Sequence, residues 1–126
     1  MDRPIVLIVD DEPAISMMVE AAFQDACFDV RCVFNAKAAA AQIAALGAGL
    51  SALVTDIRLG QGADGWAVAV KARTRLPRLA VVYMTGDSAA DWAAFGVPRS
   101  VLIQKPFVGP QVLGAVTTLM NAHTGE

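Results

Sequence analysis

Residues 5–13, with the sequence IVLIVDDEP, join a short apolar run to three consecutive acidic residues and a proline. A continuous run of Val, Ile and Leu is typical of a strand that is buried on both faces of a parallel sheet. Proline is tolerated in the first turn of a helix, so the acidic residues stand where a strand ends and a helix begins. The simplest interpretation of Asp11 is a helix N-cap, which accounts for one acidic side chain but not for its neighbours.

Further apolar runs follow along the chain and alternate with segments of helical periodicity. The runs span residues 52–55, 79–84 and 100–103, and the mixed run 28–33 alternates as a half-buried edge strand does. The clearest helical pattern consists of the apolar residues Ile15, Met18, Val19, Ala22, Phe23 and Ala26. Strand and helix alternate five times, which predicts an α/β fold with a doubly wound parallel sheet, right-handed crossovers and helices on both faces.

The composition agrees with one compact domain over residues 1–126. The chain is 56% hydrophobic and 17% charged, as expected when helices cover both faces of a sheet. No run approaches transmembrane length and no signal peptide is recognisable, so we expect a cytoplasmic protein without a membrane partner. We expect Cys27 and Cys32 to be buried thiols rather than a disulfide or a metal pair. The net charge is −2, and the loose basic set is interpreted as a solvated face, which argues against direct nucleic-acid binding. That set is Lys71, Arg73, Arg75 and Arg78.

Five polar side chains stand at or just past the ends of these apolar runs. They are Asp10, Asp11, Asp56, Thr85 and Lys105. Because parallel strands end at the same edge of an open sheet, where ligands bind, we expect the five side chains to lie together. Converging carboxylates repel one another unless a cation joins them, and Mg²⁺ prefers a few carboxylates together with water and phosphate oxygens. A lysine can pair with a carboxylate and later with a phosphoryl oxygen, so the set predicts a magnesium-assisted phosphate site.

Each of these residues also has a purely structural interpretation. Thr85 alone is an ordinary β-branched strand residue, and Lys105 alone is an ordinary surface lysine. Pro106, directly after Lys105, indicates a fixed turn that can contain a cis peptide bond. The occurrence of all five side chains at the ligand edge of four strands favours a functional site over these separate interpretations.

The chain resembles, over essentially its whole length, the receiver domain of two-component response regulators. The motifs that carry the resemblance are Val9-Asp10-Asp11-Glu12, Asp56 after the third strand, Thr85 after the fourth, and Lys105-Pro106-Phe107 after the fifth. The resemblance implies a flavodoxin-like fold with five strands in the order 2-1-3-4-5. It also implies that Asp56 accepts a phosphoryl group from a histidine kinase or phosphotransfer protein. Asp10, Asp11, Asp56 and the backbone carbonyl of Arg58 would hold Mg²⁺, while Thr85 and Lys105 would bind the phosphoryl oxygens.

The function implied is that of a single-domain response regulator, a phosphorylated signalling protein rather than an enzyme. Phosphorylation would control binding of a downstream protein to the fourth helix, fifth strand and fifth helix (residues 108–122), or the protein would act as a phosphate shuttle or sink. Trp92 and Phe95 are candidate anchors, and we expect one of them to lie in the core. The alternative is a receiver domain excised from a larger hybrid kinase or multidomain regulator.

Two other classes of similar topology are disfavoured. An aspartate-based phosphohydrolase would have a second aspartate two residues after the nucleophile, where this chain has Arg58. A flavin carrier would need a Ser/Thr/Gly-rich phosphate cradle in the first loop, and that loop is acidic.

Three positions depart from the pattern of the family. Leu102 stands where many receivers have a tyrosine or phenylalanine that reports phosphorylation, so Tyr83 is a candidate substitute as well as a candidate core residue. Gly86 stands where alanine is more usual, which loosens the loop after the fourth strand. Arg58 brings a cation to the site, and we expect it to face Asp87 across the mouth as a lid over the phosphoryl group.

Overall fold

The computed structural model describes residues 3–60, 62–86 and 89–124 of the chain. The strands are β1 (Ile5–Val9), β2 (Asp29–Val33), β3 (Leu50–Asp56), β4 (Ala80–Thr85) and β5 (Ser100–Gln104). The helices are α1 (Pro13–Asp25), α2 (Ala36–Leu46), α3 (Gly65–Arg75), α4 (Trp92–Phe95) and α5 (Gly109–Thr124). All pairings are parallel and the sheet order is β2-β1-β3-β4-β5, which confirms the predicted fold.

The sheet is covered on both faces, as its continuous apolar strands require. Leu7 and Val9 of β1 belong to the core cluster that packs under α2 and α3, whereas Val6 and Ile8 belong to the cluster under α1 and α5. Successive strand residues point to opposite faces, so a strand covered on both sides needs an apolar residue at every position. The chain reverses direction across the sheet between β1 and β3, and the carboxyl ends of these two strands form the ligand crevice of such a fold.

Gly65 places the start of α3 directly against the end of β3. Its amide donates a 2.8 Å hydrogen bond to the carbonyl oxygen of Ile57. A Cβ atom at this position would overlap the carbonyl oxygen of Asp56 and lie 2.9 Å from the Cα of Ile57. Only glycine therefore allows the β3–α3 connection to close this tightly around Asp56.

The segment before β5 contains a short fourth helix, as predicted, but neither of its two aromatic residues lies in the core. α4 is a single turn, preceded by a 3-10 turn over Ala89–Asp91. Trp92 is 38% exposed and Phe95 is 56% exposed, so the expectation that one of them lies in the core is wrong. A fourth helix of one turn is too short to bury one face against the sheet.

Two predictions about surface residues are also corrected. Arg73 does not belong to a solvated face, because its guanidinium donates hydrogen bonds to the carbonyl oxygens of Pro98, at 2.6 Å, and Arg99, at 3.3 Å. Cys27 is exposed and Cys32 is partly buried, and both are free thiols, so the expectation that Cys27 is buried is wrong. None of the helices in the described part of the chain has the length and hydropathy needed to cross a membrane.

Candidate functional site

An acidic cluster lies at the carboxyl ends of β1 and β3. Asp10, Asp11, Glu12 and Asp56 each offer a carboxylate oxygen, and these oxygens lie within 4.8 Å of one another. Asp10 and Asp56 are buried, whereas Asp11 and Glu12 are exposed. The structure therefore brings together the three predicted aspartates and adds Glu12, to which the sequence analysis gave no role.

Asp10 is the most deeply buried member of the cluster, with an exposed fraction of 0%. Its Oδ1 accepts a 2.8 Å hydrogen bond from the backbone amide of Glu12, whereas its Oδ2 is buried without a hydrogen-bond partner. Burial raises the pKa of the Asp10 carboxyl from 3.8 to about 6. Burying a carboxylate oxygen without a hydrogen-bond donor costs folding free energy. A cation bound in the cluster would supply the missing partner for Asp10 Oδ2.

The N-cap interpretation of Asp11 is wrong. The N-cap of α1 is Glu12, whose side chain makes no capping hydrogen bond, and Pro13 occupies the first turn as predicted. The Asp10 carboxylate receives the Glu12 amide instead. Asp11 is thus left at the surface of the cleft without a capping role, in a position suited to bind a ligand.

Asp56 ends β3 with only 5% of its surface exposed. Burial raises the pKa of its carboxyl, while the nearby charge of Lys105 opposes that shift. The Lys105 Nζ lies 3.5 Å from Asp56 Oδ2. The Asp56 carboxylate is therefore nearly enclosed. It is open to solvent only through the cleft, and the ammonium group of Lys105 lies beside it.

Lys105 follows β5, the edge strand that β4 separates from β3, and its side chain extends back to the acidic cluster. Its Nζ donates a 3.1 Å hydrogen bond to Glu12 Oε1, and its peptide bond to Pro106 is cis, as the sequence allowed. Burial disfavours the ammonium charge, but the hydrogen bond to Glu12 and the charge of Asp56 outweigh it and raise the pKa of Lys105. The lysine is thus firmly protonated and held by two carboxylates at once.

Four of the five predicted site residues line one open cleft, whereas the fifth, Asp10, is fully buried and is not part of the lining. The lining consists of Asp11, Glu12, Asp56, Arg58, Thr85, Gly86 and Lys105. Thr85 is 2% exposed and ends β4, so it stands at the same edge of the sheet as Asp56. Asp87 lies outside the described residues, so its pairing with Arg58 stays a prediction.

Tyr83 is a core residue, as the simpler of its two interpretations predicted. It is fully buried, its hydroxyl accepts a 3.0 Å hydrogen bond from the amide of Val97, and its ring centroid lies 4.6 Å from that of Trp66. Tyr83 pairs with Leu102 across β4 and β5. A role for Tyr83 in reporting phosphorylation stays a prediction, and its contact with Val97 connects it to the segment between α4 and β5.

The comparisons with known proteins agree with this geometry. The response regulator receiver domain family matches residues 6–117, so the chain belongs to that family. A response regulator receiver protein from Sinorhizobium medicae WSM419 shares 38% sequence identity with a TM-score of 0.91, covering 96% of this chain and 97% of the other. A putative response regulator from Chloroflexus aurantiacus J-10-fl shares 26% identity with a TM-score of 0.80, covering 95% and 99%.

A more distant structure extends the similarity of fold. A CheY-like response regulator receiver domain protein from Methanospirillum hungatei JF-1 has a TM-score of 0.82 at 19% identity, covering 98% of each chain. No curated protein matches the sequence.

Proposed function

We propose that the protein is a response regulator in which Asp56 accepts a phosphoryl group from a histidine kinase or phosphotransfer protein in a Mg²⁺-dependent reaction. Membership of the receiver domain family supports interaction with such donors. The observation that carries the assignment of Asp56 is its position: it is 5% exposed at the base of the cleft, within the acidic cluster and 3.5 Å from Lys105.

The residues present fit a divalent cation. The buried Oδ2 of Asp10 lacks a hydrogen-bond donor, and the carboxylates of Asp11 and Asp56 belong to the same cluster. Oxygen ligands of this kind suit Mg²⁺, and the backbone carbonyl of Arg58 would complete the protein's share of the coordination. When bound, the ion supplies positive charge that offsets the charge of the phosphoryl group.

The remaining chemistry belongs to the side chains of the cleft. A carboxylate oxygen of Asp56 attacks phosphorus, a new O–P bond forms, and the P–N bond to the donor's histidine breaks as the imidazole leaves. Lys105 pairs with a phosphoryl oxygen, and the hydroxyl of Thr85 donates a hydrogen bond to another. Little else is required of the protein, because phosphoryl transfer depends mainly on positioning and on charge stabilisation.

The output is proposed to be binding rather than catalysis on another substrate. The protein would transfer and hydrolyse only its own phosphoryl group, acting in the cytoplasm as one domain over residues 1–126. The surface formed by α4, β5 and α5 would bind a downstream protein, and the exposure of Trp92 and Phe95 supports their proposed role as anchors. A phosphate shuttle or sink, and a receiver domain within a larger hybrid kinase or multidomain regulator, would use the same site.

The experiment compares the wild type with Asp56→Asn in the presence of a small phosphodonor and Mg²⁺. Intact-mass analysis should show one phosphoryl group on the wild type and none on Asp56→Asn, and a chelator should abolish labelling. Asp29→Asn is the matched control. Asp29 is the first residue of β2 and therefore lies at the amino-terminal ends of the strands, away from the cleft at their carboxyl ends. Equal labelling of wild type and Asp56→Asn would contradict the proposal.

A further inference from the structure

Of the carboxylates in the described part of the chain, that of Glu12 lies nearer to the Lys105 ammonium than that of Asp56. The Nζ atom lies 3.1 Å from Glu12 Oε1 and 3.5 Å from Asp56 Oδ2. The Glu12 side chain is 60% exposed and lines the mouth of the cleft, whereas that of Asp56 is 8% exposed at its base. Lys105 therefore bridges the rim of the site and its base.

A phosphoryl group on Asp56 would enter the same space. Phosphoryl oxygens are strong acceptors of hydrogen bonds from an ammonium, so they would recruit Lys105. They also carry the same sign of charge as the Glu12 carboxylate, which repels them at this range. Both anionic groups would therefore be drawn to one cation while repelling each other.

On the basis of the proposed function, we infer that Glu12 is a positioning residue that competes with the phosphoryl group for Lys105. In the unphosphorylated protein Glu12 engages the ammonium, and phosphorylation exchanges this contact for one with a phosphoryl oxygen. Glu12 would in this way set the balance between the two states without touching the reacting atoms.

The size of the effect follows from the exposure of Glu12. An ion pair with one partner largely in solvent is weak, because water and salt screen it. Losing it should tighten the binding of a phosphoryl analogue by about two- to fivefold, which is the factor expected for such a weak pair.

The test measures the affinity of beryllofluoride, an analogue of the phosphoryl group, at saturating Mg²⁺. Glu12→Gln should bind it about two- to fivefold more tightly than the wild type. Glu12→Asp keeps the charge but is one methylene too short for the contact with Lys105, so it should also bind more tightly, by a smaller factor. Glu20→Gln, a change of the same kind in the middle of α1, should match the wild type.

A second measurement reports on the contact without any phosphoryl analogue. The NMR chemical shift of the Lys105 Nζ should change in Glu12→Gln and in Glu12→Asp but not in Glu20→Gln. Unchanged beryllofluoride affinity in Glu12→Gln would overturn the inference, and so would a Glu12→Asp protein that behaves as the wild type, since charge alone would then be responsible.

Two further outcomes separate the inference from the proposed function. A loss of Mg²⁺ affinity of more than about tenfold in Glu12→Gln would make Glu12 a metal ligand and overturn the competition, while leaving the proposed function intact. A wild-type protein that binds no beryllofluoride in Mg²⁺ would contradict the proposed function, and the competition with it; the Nζ shift would still report the contact between Glu12 and Lys105.

Discussion

The backbone amide of Lys105 donates a 2.7 Å hydrogen bond to the carbonyl oxygen of Thr85. This bond extends the pairing of β4 and β5 past the last strand residue of β5, so the two residues leave the sheet side by side. Their side chains are the two that the sequence predicts to bind phosphoryl oxygens. The backbone hydrogen bond between the two strand ends therefore sets the distance between Thr85 and Lys105.

The first prediction concerns the hydroxyl of Thr85. Thr85→Val keeps the shape of the buried side chain but removes the donor, so it should bind beryllofluoride about ten- to a hundredfold more weakly, the usual worth of a hydrogen bond to a charged group. Titration at saturating Mg²⁺ measures the change. Thr85→Ser retains the hydroxyl and should stay close to the wild type, and equal affinities for the Ser and Val variants would exclude a direct role.

A second prediction concerns the cost of burying Asp10 without a cation. The pKa of its carboxyl rises from 3.8 to about 6 on folding, so the folded state holds the proton more tightly than the unfolded state. The carboxyl therefore favours folding below about pH 4, and this contribution is lost as the pH rises through about 6. At pH 7.5 in chelator, Asp10→Asn should increase the free energy of unfolding by up to about 3 kcal/mol.

Urea unfolding with and without Mg²⁺ checks this prediction. Mg²⁺ should stabilise the wild type much more than Asp10→Asn, because the variant has lost a ligand carboxylate. Asp29→Asn, at the start of β2, should show no gain in chelator. A loss of stability in Asp10→Asn under metal-free conditions would show that burying the ionised Asp10 carboxylate does not destabilise the folded protein.

Gly65 provides a prediction about how the site is built. A methyl group there would overlap the carbonyl oxygen of Asp56, so Gly65→Ala should lower the free energy of unfolding by about 1–3 kcal/mol. A Cβ added at Gly114 in α5 would meet no atom within 4 Å, and Gly114→Ala should raise stability by roughly 0.5–1 kcal/mol. Urea unfolding of both variants decides the matter; similar shifts in the same direction would contradict the packing argument.

Tyr83→Phe tests the buried hydroxyl. Without it, the amide of Val97 loses its 3.0 Å acceptor, so unfolding should become easier by about 1–3 kcal/mol and hydrogen exchange at Val97 should accelerate. Thermal unfolding and amide exchange measure the two effects. Unchanged exchange at Val97 would show that water replaces the hydroxyl.

The fold was predictable because the apolar strands are nearly uninterrupted. Burial on both faces demands such runs, and their carboxyl ends identify the ligand edge, so Asp10, Asp56, Thr85 and Lys105 could be located from the sequence alone. The contact between Glu12 and Lys105 does not follow from the sequence, because it depends on how the chain turns after β5 to direct Lys105. The signal for Glu12 was its place directly after the acidic pair, at the start of α1.

The segment between β4 and β5 was the least predictable part. Trp92 and Phe95 have the apolar character of core residues, but the single turn of α4 leaves both partly exposed. Arg73 has the composition of a surface residue, yet it binds the carbonyl oxygens of Pro98 and Arg99, which no local pattern reveals. Long-range contacts of this kind depend on tertiary structure rather than on periodicity.

The most direct test of the central claim is to locate the phosphoryl group chemically. Borohydride reduction of the phosphorylated protein converts an aspartyl phosphate to homoserine, and peptide mass spectrometry identifies the converted position. The proposed function predicts conversion at Asp56 alone, dependent on Mg²⁺ during phosphorylation. Conversion at Asp10 or Asp11, or at no aspartate of the chain, would contradict it.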